Sequence, residues 1–242
     1  MKRRLLPLAL MLPLAACHHG EPPVDGKVHV AVSGVVGGAV PFAGVPVTAT
    51  DHAGKHTVSA VTDAQGHYSL VVDGVGPFVL TAPGADSDGS PVTLSAAFVP
   101  TQGQGRAVVN INPVTALLAQ RTLGGVPQGA PAAAQMAGVT EAAVAAAAKD
   151  VSGVLAPLYA AFHVPAALVA DPAGEPDFQA GARTPLAELF SVVHFDLHDG
   201  AVSVGHDADR AEVSIPARGA LSAAVPARAA ASALALANGP TT

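Results

Sequence analysis

Aromatic residues are scarce in this chain of 242 residues: they make up 4% of it, and tryptophan is absent. Hydrophobic residues nevertheless account for 50% of the sequence, and most of them are Ala and Val. A chain of this length forms one or two domains and can bury a real core. That core must be built mainly from small side chains. The two tyrosines, Tyr68 and Tyr159, offer little surface on which a sugar could stack.

Charged residues are also scarce. They make up 12% of the chain, below the roughly 25% of typical soluble proteins. The 18 Asp and Glu residues outnumber the 12 Lys and Arg residues, which gives a net charge of −6. Because nucleic-acid binding needs a basic patch, we expect no nucleic-acid partner. Disorder is not indicated either, since disordered chains combine high charge with low hydrophobicity.

A single cysteine, Cys17, excludes an intramolecular disulfide and a zinc site made of several thiolates. The sequence also lacks the GxSxG, HExxH, P-loop and dinucleotide-binding patterns. The run Ala-Val-Ser-Val-Gly at residues 201–205 is nearest to GxSxG, but it lies in a predicted strand without the helix that this motif needs. We therefore expect no catalytic residues, no cofactor and no enzyme activity.

The N-terminus has the features of an export signal. Residues 2–4 are Lys-Arg-Arg, and residues 5–14 form an apolar run that is too short for a bilayer span of about 20 residues. Residues 14–17 are Leu-Ala-Ala-Cys, which resembles the lipobox of bacterial lipoproteins. The resemblance implies that residues 1–16 are removed, that the Cys17 thiol is diacylglycerated, and that the new N-terminus is acylated, for example with palmitate. The alternative is an ordinary signal peptide with an incidental cysteine.

Residues 17–27 then form a proline-containing tether, which should be extended and semi-rigid. In the lipoprotein class, Asp after the acylated cysteine often retains the protein at the inner membrane, whereas this chain has His18 there. The resemblance therefore favours the outer membrane of a bacterial cell envelope. Several acyl chains together give a stable anchor, because each buried CH₂ contributes about 0.8 kcal/mol.

Residues 28–111 have the alternation that is typical of β-strands. Residues 44–73 alternate apolar and polar side chains in three runs, separated by turn sequences around Gly54 and Gly66. Such runs predict consecutive antiparallel strands, and both glycines suit a positive φ. With the alternating runs on either side, about seven short strands predict a β-sandwich.

Two segments of this region are more specific. They are Gly-Val-Pro-Val at residues 44–47 and Thr-Asp-x-x-Gly-x-Tyr-x-Leu at residues 62–70. They resemble the carboxypeptidase regulatory-like domain, a small transthyretin-like sandwich of bacterial envelope proteins. The resemblance implies a structural module, or an accessory module that contacts carbohydrate or protein, without catalytic residues.

The period changes at residue 112. Asn112 is a suitable N-cap, and Pro113 suits the first position of a helix. Residues 110–115, Asn-Ile-Asn-Pro-Val-Thr, are similar to an Asn-x-x-Pro-x-Thr junction of other envelope lipoproteins. Beyond this junction, the Ala-rich residues 112–242 predict a helical domain.

Two features stand out within the helical domain. The helix that follows Thr140 carries one apolar stripe, which favours packing within the chain, and Pro157 should kink or split it. Another helix should start at Thr184. The segment after it, residues 194–205, predicts a β-hairpin with a two-residue Asp-Gly turn.

The hairpin contains the strongest candidates for metal binding. His194 and His198 would share a face of one strand but lie about 13 Å apart, which is too far for one metal ion. His198 and His206 could approach each other if the exit loop folds back, so they are the candidate ligands. The default interpretation is that both are solvent-facing positions, and we expect no metal site. Asp-Ser-Asp-Gly at residues 86–89 is likewise better explained as a polar turn than as a calcium loop.

The sequence thus predicts an α+β protein: an N-terminal, approximately seven-stranded β-sandwich, followed by an Ala-rich helical region with a hairpin. We expect a non-enzymatic envelope lipoprotein, anchored in the membrane by lipid, that acts as a structural or protein-interaction module with an envelope protein as its partner. The alternative is a solute-binding lipoprotein that holds a metal ion or a small glycan.

Overall fold

The computed structural model describes residues 26–176, 178–181, 183–205 and 207–239. In these residues it has ten strands in three sheets and six helices, which confirms the expected α+β class. The first seven strands are β1 (Lys27–Val35), β2 (Pro46–Thr50), β3 (His56–Val61), β4 (His67–Val75), β5 (Phe78–Ala85), β6 (Pro91–Phe98) and β7 (Arg106–Val108).

The alternation of apolar and polar residues determines how these strands pack. In β4, every second residue from Tyr68 to Gly74 is buried. This strand pairs antiparallel with β1, which pairs in parallel with β7. The other four strands form an antiparallel sheet in the order β3-β2-β5-β6. The inward-facing side chains of both sheets lie in one core, which includes Val30, Val32, Val47, Leu70, Val72, Leu80 and Leu94.

Residues 44–73 form only part of the antiparallel series that their alternation predicts. As expected, β2 and β3 pair around a turn in which Gly54 has φ 81°. After β3, however, the chain crosses to the other sheet, and β4 pairs with β1. The connecting turn has the predicted chemistry: Asp63 Oδ1 accepts hydrogen bonds from the backbone N–H of Gln65 and His67, and Gly66 has φ 80°. Since a hairpin and a crossing can use the same turn, local alternation does not distinguish them.

Six helices follow β7: α1 (Pro113–Leu123), α2 (Ala133–Met136), α3 (Glu141–Ala161), α4 (Ala166–Ala170), α5 (Pro185–Val192) and α6 (Ala227–Asn238). The predicted N-caps Asn112 and Thr184 are confirmed, because each side chain accepts a backbone N–H of the helix that it precedes. Thr140, at the predicted start of α3, caps its helix in the same way. These bonds satisfy donors that the first turn of a helix leaves unpaired.

The apolar stripe of α3 packs inside the protein, as predicted. Val151, Leu155, Leu158 and Phe162 are all buried. The helix continues through Pro157, so of the two expected effects, a kink or a split, the split does not occur. Buried contacts on both sides of the proline hold the helix together, although proline cannot donate the usual backbone hydrogen bond.

The C-terminal hairpin differs from its prediction in the turn. Its strands are β8 (His194–Asp196) and β9 (Ala201–Val204), and β10 (Ala211–Ser214) pairs with β9 to complete a three-stranded sheet. Because Asp196 is opposite Ala201, the loop has four residues and not two. The carboxylate of Asp196 explains the wider turn, since its Oδ1 accepts the backbone N–H groups of His198 and Asp199.

The helical region packs on the outer face of the four-stranded sheet. Helix α1 lies beside β6, and Val79 of β5 packs with Leu123, Met136 and Val139. The main core is continuous from the first two sheets to α1, α3, α5 and α6. By contrast, the outward-facing residues of the sheet β4-β1-β7, among them Ala31, are exposed.

Candidate functional site

A cleft of about 360 Å³ lies where the four-stranded sheet meets the loop after α1 and the turn of the hairpin. The sheet contributes Pro46, Thr48, Thr81, Ala82, Pro83, Pro91, Val92 and Thr93. The loop contributes Val126, Gln128, Gly129 and Ala130, and the turn contributes His198. The cleft is therefore built from three parts of the chain that are distant in sequence.

A row of hydroxyl groups crosses the sheet at the cleft. Thr48 of β2 is directly opposite Thr81 of β5, and Thr81 is directly opposite Ser95 of β6. Opposite residues in an antiparallel pair have Cβ atoms about 5 Å apart. The Thr81 hydroxyl donates to the Thr48 carbonyl oxygen over 3.4 Å. Ser95 is not among the residues that line the cleft; it is fully buried, and its hydroxyl has no hydrogen-bond partner among the described residues.

Helix α1 positions the hairpin turn that closes one side of the cleft. Gln120 is buried in α1, and its Nε2 donates to the carbonyl oxygen of Leu197 over 2.9 Å. The next residue, His198, donates its backbone N–H to Asp196 Oδ1 over 2.9 Å. These bonds hold the backbone of the turn and leave the His198 side chain exposed at the rim. The sequence contains no signal for Gln120, because its partner is 77 residues away.

Two of the three histidines that the sequence singled out, His194 and His198, lie in the described part of the chain. His198 lies in the turn, so the expectation that it shares a strand with His194 is wrong. His194 Nε2 lies 3.3 Å from Asp88 Oδ2. The other candidate ligand, His206, falls outside the described residues. Among the residues that are described, no group of three or more His, Cys, Asp and Glu could hold a metal ion.

The loop after β5 joins the β region to the hairpin. Asp86 Oδ1 accepts the backbone N–H groups of Asp88 and Ser90, as a polar turn requires. Ser87, in the same loop, forms two hydrogen bonds with Phe195. The Ser87 hydroxyl accepts the Phe195 N–H over 2.8 Å, and the Ser87 backbone N–H donates to the Phe195 carbonyl oxygen over 3.3 Å. This loop therefore pairs with β8, a link that the sequence analysis missed.

The junction at residues 110–115 is a buried polar joint. Asn110 is 1% exposed; its Oδ1 accepts the Val35 N–H over 3.0 Å, and its Nδ2 donates to the Glu175 carbonyl oxygen over 2.7 Å. Asn112 caps α1 and also donates to the Pro172 carbonyl oxygen over 3.3 Å. The two asparagines thereby attach the segment around residue 173 to the end of the β region.

The two tyrosine side chains are buried in the interior of the protein. Tyr68 is 5% exposed and Tyr159 is 3% exposed, and burial raises the pKa of both hydroxyls well above the usual value. The Tyr68 hydroxyl donates to the carbonyl oxygen of Val109. Both rings are therefore inaccessible to a sugar, in agreement with the small aromatic platform expected from the sequence.

The proposed lipidation site, Cys17, lies outside the described residues. In the described part of the chain, no helix is both long enough and apolar enough to cross a membrane. No family model matches the chain, and no curated protein or solved structure is significantly similar to it.

Proposed function

We propose that the protein is a non-enzymatic envelope lipoprotein, anchored through Cys17 in the outer membrane, that acts as a structural or protein-interaction module. Its β-sandwich, residues 28–111, would belong to the carboxypeptidase regulatory-like type. Residues 112–242 would form the second domain. The anchor rests on the Leu-Ala-Ala-Cys run at residues 14–17 and on the basic and apolar segments before it.

The observation that carries the structural part of the proposal is the buried joint at Asn110. A buried amide that satisfies two backbone groups from different parts of the chain makes separation of those parts costly. Arg121 adds a link within residues 112–242. Its Nε donates to Asp150 of α3 over 3.0 Å, and its Nη1 donates to the Pro216 carbonyl oxygen over 2.7 Å. These hydrogen bonds connect the β region and the helices rigidly, which suits a structural module at the end of a tether.

The open face of the sheet β4-β1-β7 is the surface on which we would seek the partner protein. Val71 and Val108 on this face are 45% and 37% exposed, and they lie among polar neighbours. Lys27, the last residue of the proposed tether, is the first residue of β1 in this same sheet. The apolar face of α5 is a poorer candidate, because Leu186 and Leu189 are fully buried.

Metabolic labelling with a palmitate analogue tests the anchor. The natural chain should be labelled and should sediment with membranes, whereas Cys17→Ala should lose the label and leave the membrane fraction. Ser33→Ala, a similarly small change on the open sheet face, should behave like the natural chain. Undiminished labelling of the Cys17→Ala variant would contradict the lipoprotein assignment.

Site-specific photocrosslinking in cells tests the interaction role. A photoreactive residue at Val71 should capture one dominant envelope protein. The same residue at Leu236, which is exposed on α6, is the matched control and should capture it weakly. Equal and diffuse capture from both positions would argue against a defined protein partner.

A further inference from the structure

The cleft between the four-stranded sheet, the loop after α1 and the hairpin turn has the composition of a small-molecule site. Ligand sites are concave, are usually about 300–1,000 Å³ in volume, and combine mostly apolar walls with a few polar groups. This cleft measures about 360 Å³, and its lining includes three prolines, Pro46, Pro83 and Pro91. Proline rings are stiff, so these walls need little ordering when a ligand enters.

The polar side chains of the cleft carry hydroxyls, an amide and, at the rim, the imidazole of His198. Thr48, Thr81 and Thr93 lie on the sheet side, and Gln128 lies on the loop side. A threonine hydroxyl can both donate and accept, and a glutamine amide offers both functions from separate atoms. The Thr81 hydroxyl already donates to the Thr48 carbonyl oxygen, so towards a ligand it serves as an acceptor. Such groups match ligand hydroxyls, which also donate and accept. The opposed pairing of Thr48 with Thr81 fixes the spacing of two of them at about 5 Å between Cβ atoms.

The absence of ionised partners selects against charged ligands. None of the described residues that line the cleft is Asp, Glu, Lys or Arg. A ligand carboxylate or ammonium group would lose water on entering without gaining an opposite charge, which is unfavourable. Among the described lining residues, the ionisable side chain is that of His198, which lies exposed at the rim.

Two of the three parts that form the cleft, the sheet and the hairpin turn, are held in place before any ligand arrives. The Thr48–Thr81 side belongs to a paired sheet, and the opposite turn is fixed to α1 by the bond from Gln120 to Leu197. A site whose walls are already ordered loses less conformational entropy on binding. We propose that this cleft binds a neutral, polyhydroxylated small molecule, about the size of a monosaccharide. This inference is independent of the lipid anchor and of the protein partner.

Calorimetric titration of the full-length lipoprotein in detergent micelles tests the inference. The neutral probes are glucose and N-acetylglucosamine, and the charged counterparts are glucuronate and glucosamine. At least one neutral sugar should bind saturably, and its charged counterpart should bind at least about tenfold more weakly, since an unpaired charge would be desolvated. No saturable heat from either neutral sugar up to about 10 mM, well above the millimolar affinities of weak ligands, would overturn the proposal.

Substitutions locate the binding. Thr48→Val and Thr81→Val keep the side-chain shape and remove a hydroxyl, so each should weaken binding about threefold to tenfold, as expected for one lost hydrogen bond. Thr57→Val, in β3 of the same sheet but outside the cleft, should leave the affinity unchanged. Gln128→Ala should also weaken binding. Because Gln128 lies in the exposed loop and not in the sheet, this substitution tests the site without disturbing the strands. Unchanged affinity in all three cleft variants would place any binding elsewhere and refute the proposed site.

Discussion

The side chain of Gln120 in α1 donates a hydrogen bond from Nε2 to the carbonyl oxygen of Leu197, over 2.9 Å. This bond joins the helix that covers the four-stranded sheet to the hairpin turn that carries His198. Both residues are buried, so no water can readily replace either partner. A single amide therefore sets the position of one wall of the cleft.

Replacing Gln120 should destabilise the protein. Gln120→Leu would keep the bulk of the side chain but leave the Leu197 carbonyl without its donor, at a cost of about 1–3 kcal/mol in the free energy of unfolding. Urea denaturation monitored by circular dichroism measures the change. Gln65→Leu, at an exposed turn position, is the control and should change stability by no more than about 0.5 kcal/mol. Equal effects of the two substitutions would mean that the buried amide contributes nothing special.

Substitution of Asn110 should lower the free energy of unfolding more than substitution of Gln120. Asn110→Ala removes the partners of two buried backbone groups, the Val35 N–H and the Glu175 carbonyl. At about 1–3 kcal/mol for each group, we expect a loss of about 2–6 kcal/mol, measured by the same urea titration. Asn238→Ala, at the exposed end of α6, should have little effect. A loss below that range would show that the joint relaxes or admits water.

Asp63 should make stability depend on pH in acid. The hydrogen bond from the backbone N–H of His67, followed by its side chain, holds the pKa of Asp63 below its ordinary value of 3.8. A depressed pKa adds stability above the unfolded-state pKa, and that stability is lost as the pH falls through the folded-state value. Asp63→Asn should therefore be less stable than the natural chain at neutral pH, and the difference should shrink below pH 3.8.

The measurement is the difference in unfolding midpoint between the natural chain and the Asp63→Asn variant across this acid range. Ser69→Ala, an uncharged and exposed position on β4, should differ from the natural chain by the same amount at every pH. A difference for Asp63→Asn that stays constant into acid would contradict the proposed role of its carboxylate.

His163 should respond unusually to glycine. It follows α3 with φ 53°, in the left-handed region that side chains other than glycine disfavour. We expect His163→Gly to raise the free energy of unfolding by up to about 1 kcal/mol, and His163→Val to lower it by about 1–2 kcal/mol. His29→Gly, within strand β1, should instead lower it by about 0.5–1 kcal/mol. Parallel losses in both glycine variants would disprove the explanation from backbone strain.

The sequence determined the local structure of this protein. The caps at Asn112, Thr140 and Thr184 and the turn chemistry of Asp63 all form as their residue types predict. Each depends on groups within a few residues, and the energetic preference is present before the chain folds. The same holds for the α+β class, because a change from period 2 to helical period is visible along the chain.

Tertiary structure alone decided how these elements meet. Alternation did not reveal that β4 pairs with β1 and not with β3, because either partner buries the same face of the strand. The helical pattern likewise did not reveal that α3 continues through Pro157. Buried residues on both sides of the proline keep the helix continuous. The cleft belongs to the same class: Thr81, Gln128 and His198 are brought together by contacts such as the one between Gln120 and Leu197. Those contacts form between residues far apart in sequence, and the sequence pattern near each residue carries no trace of its distant partner.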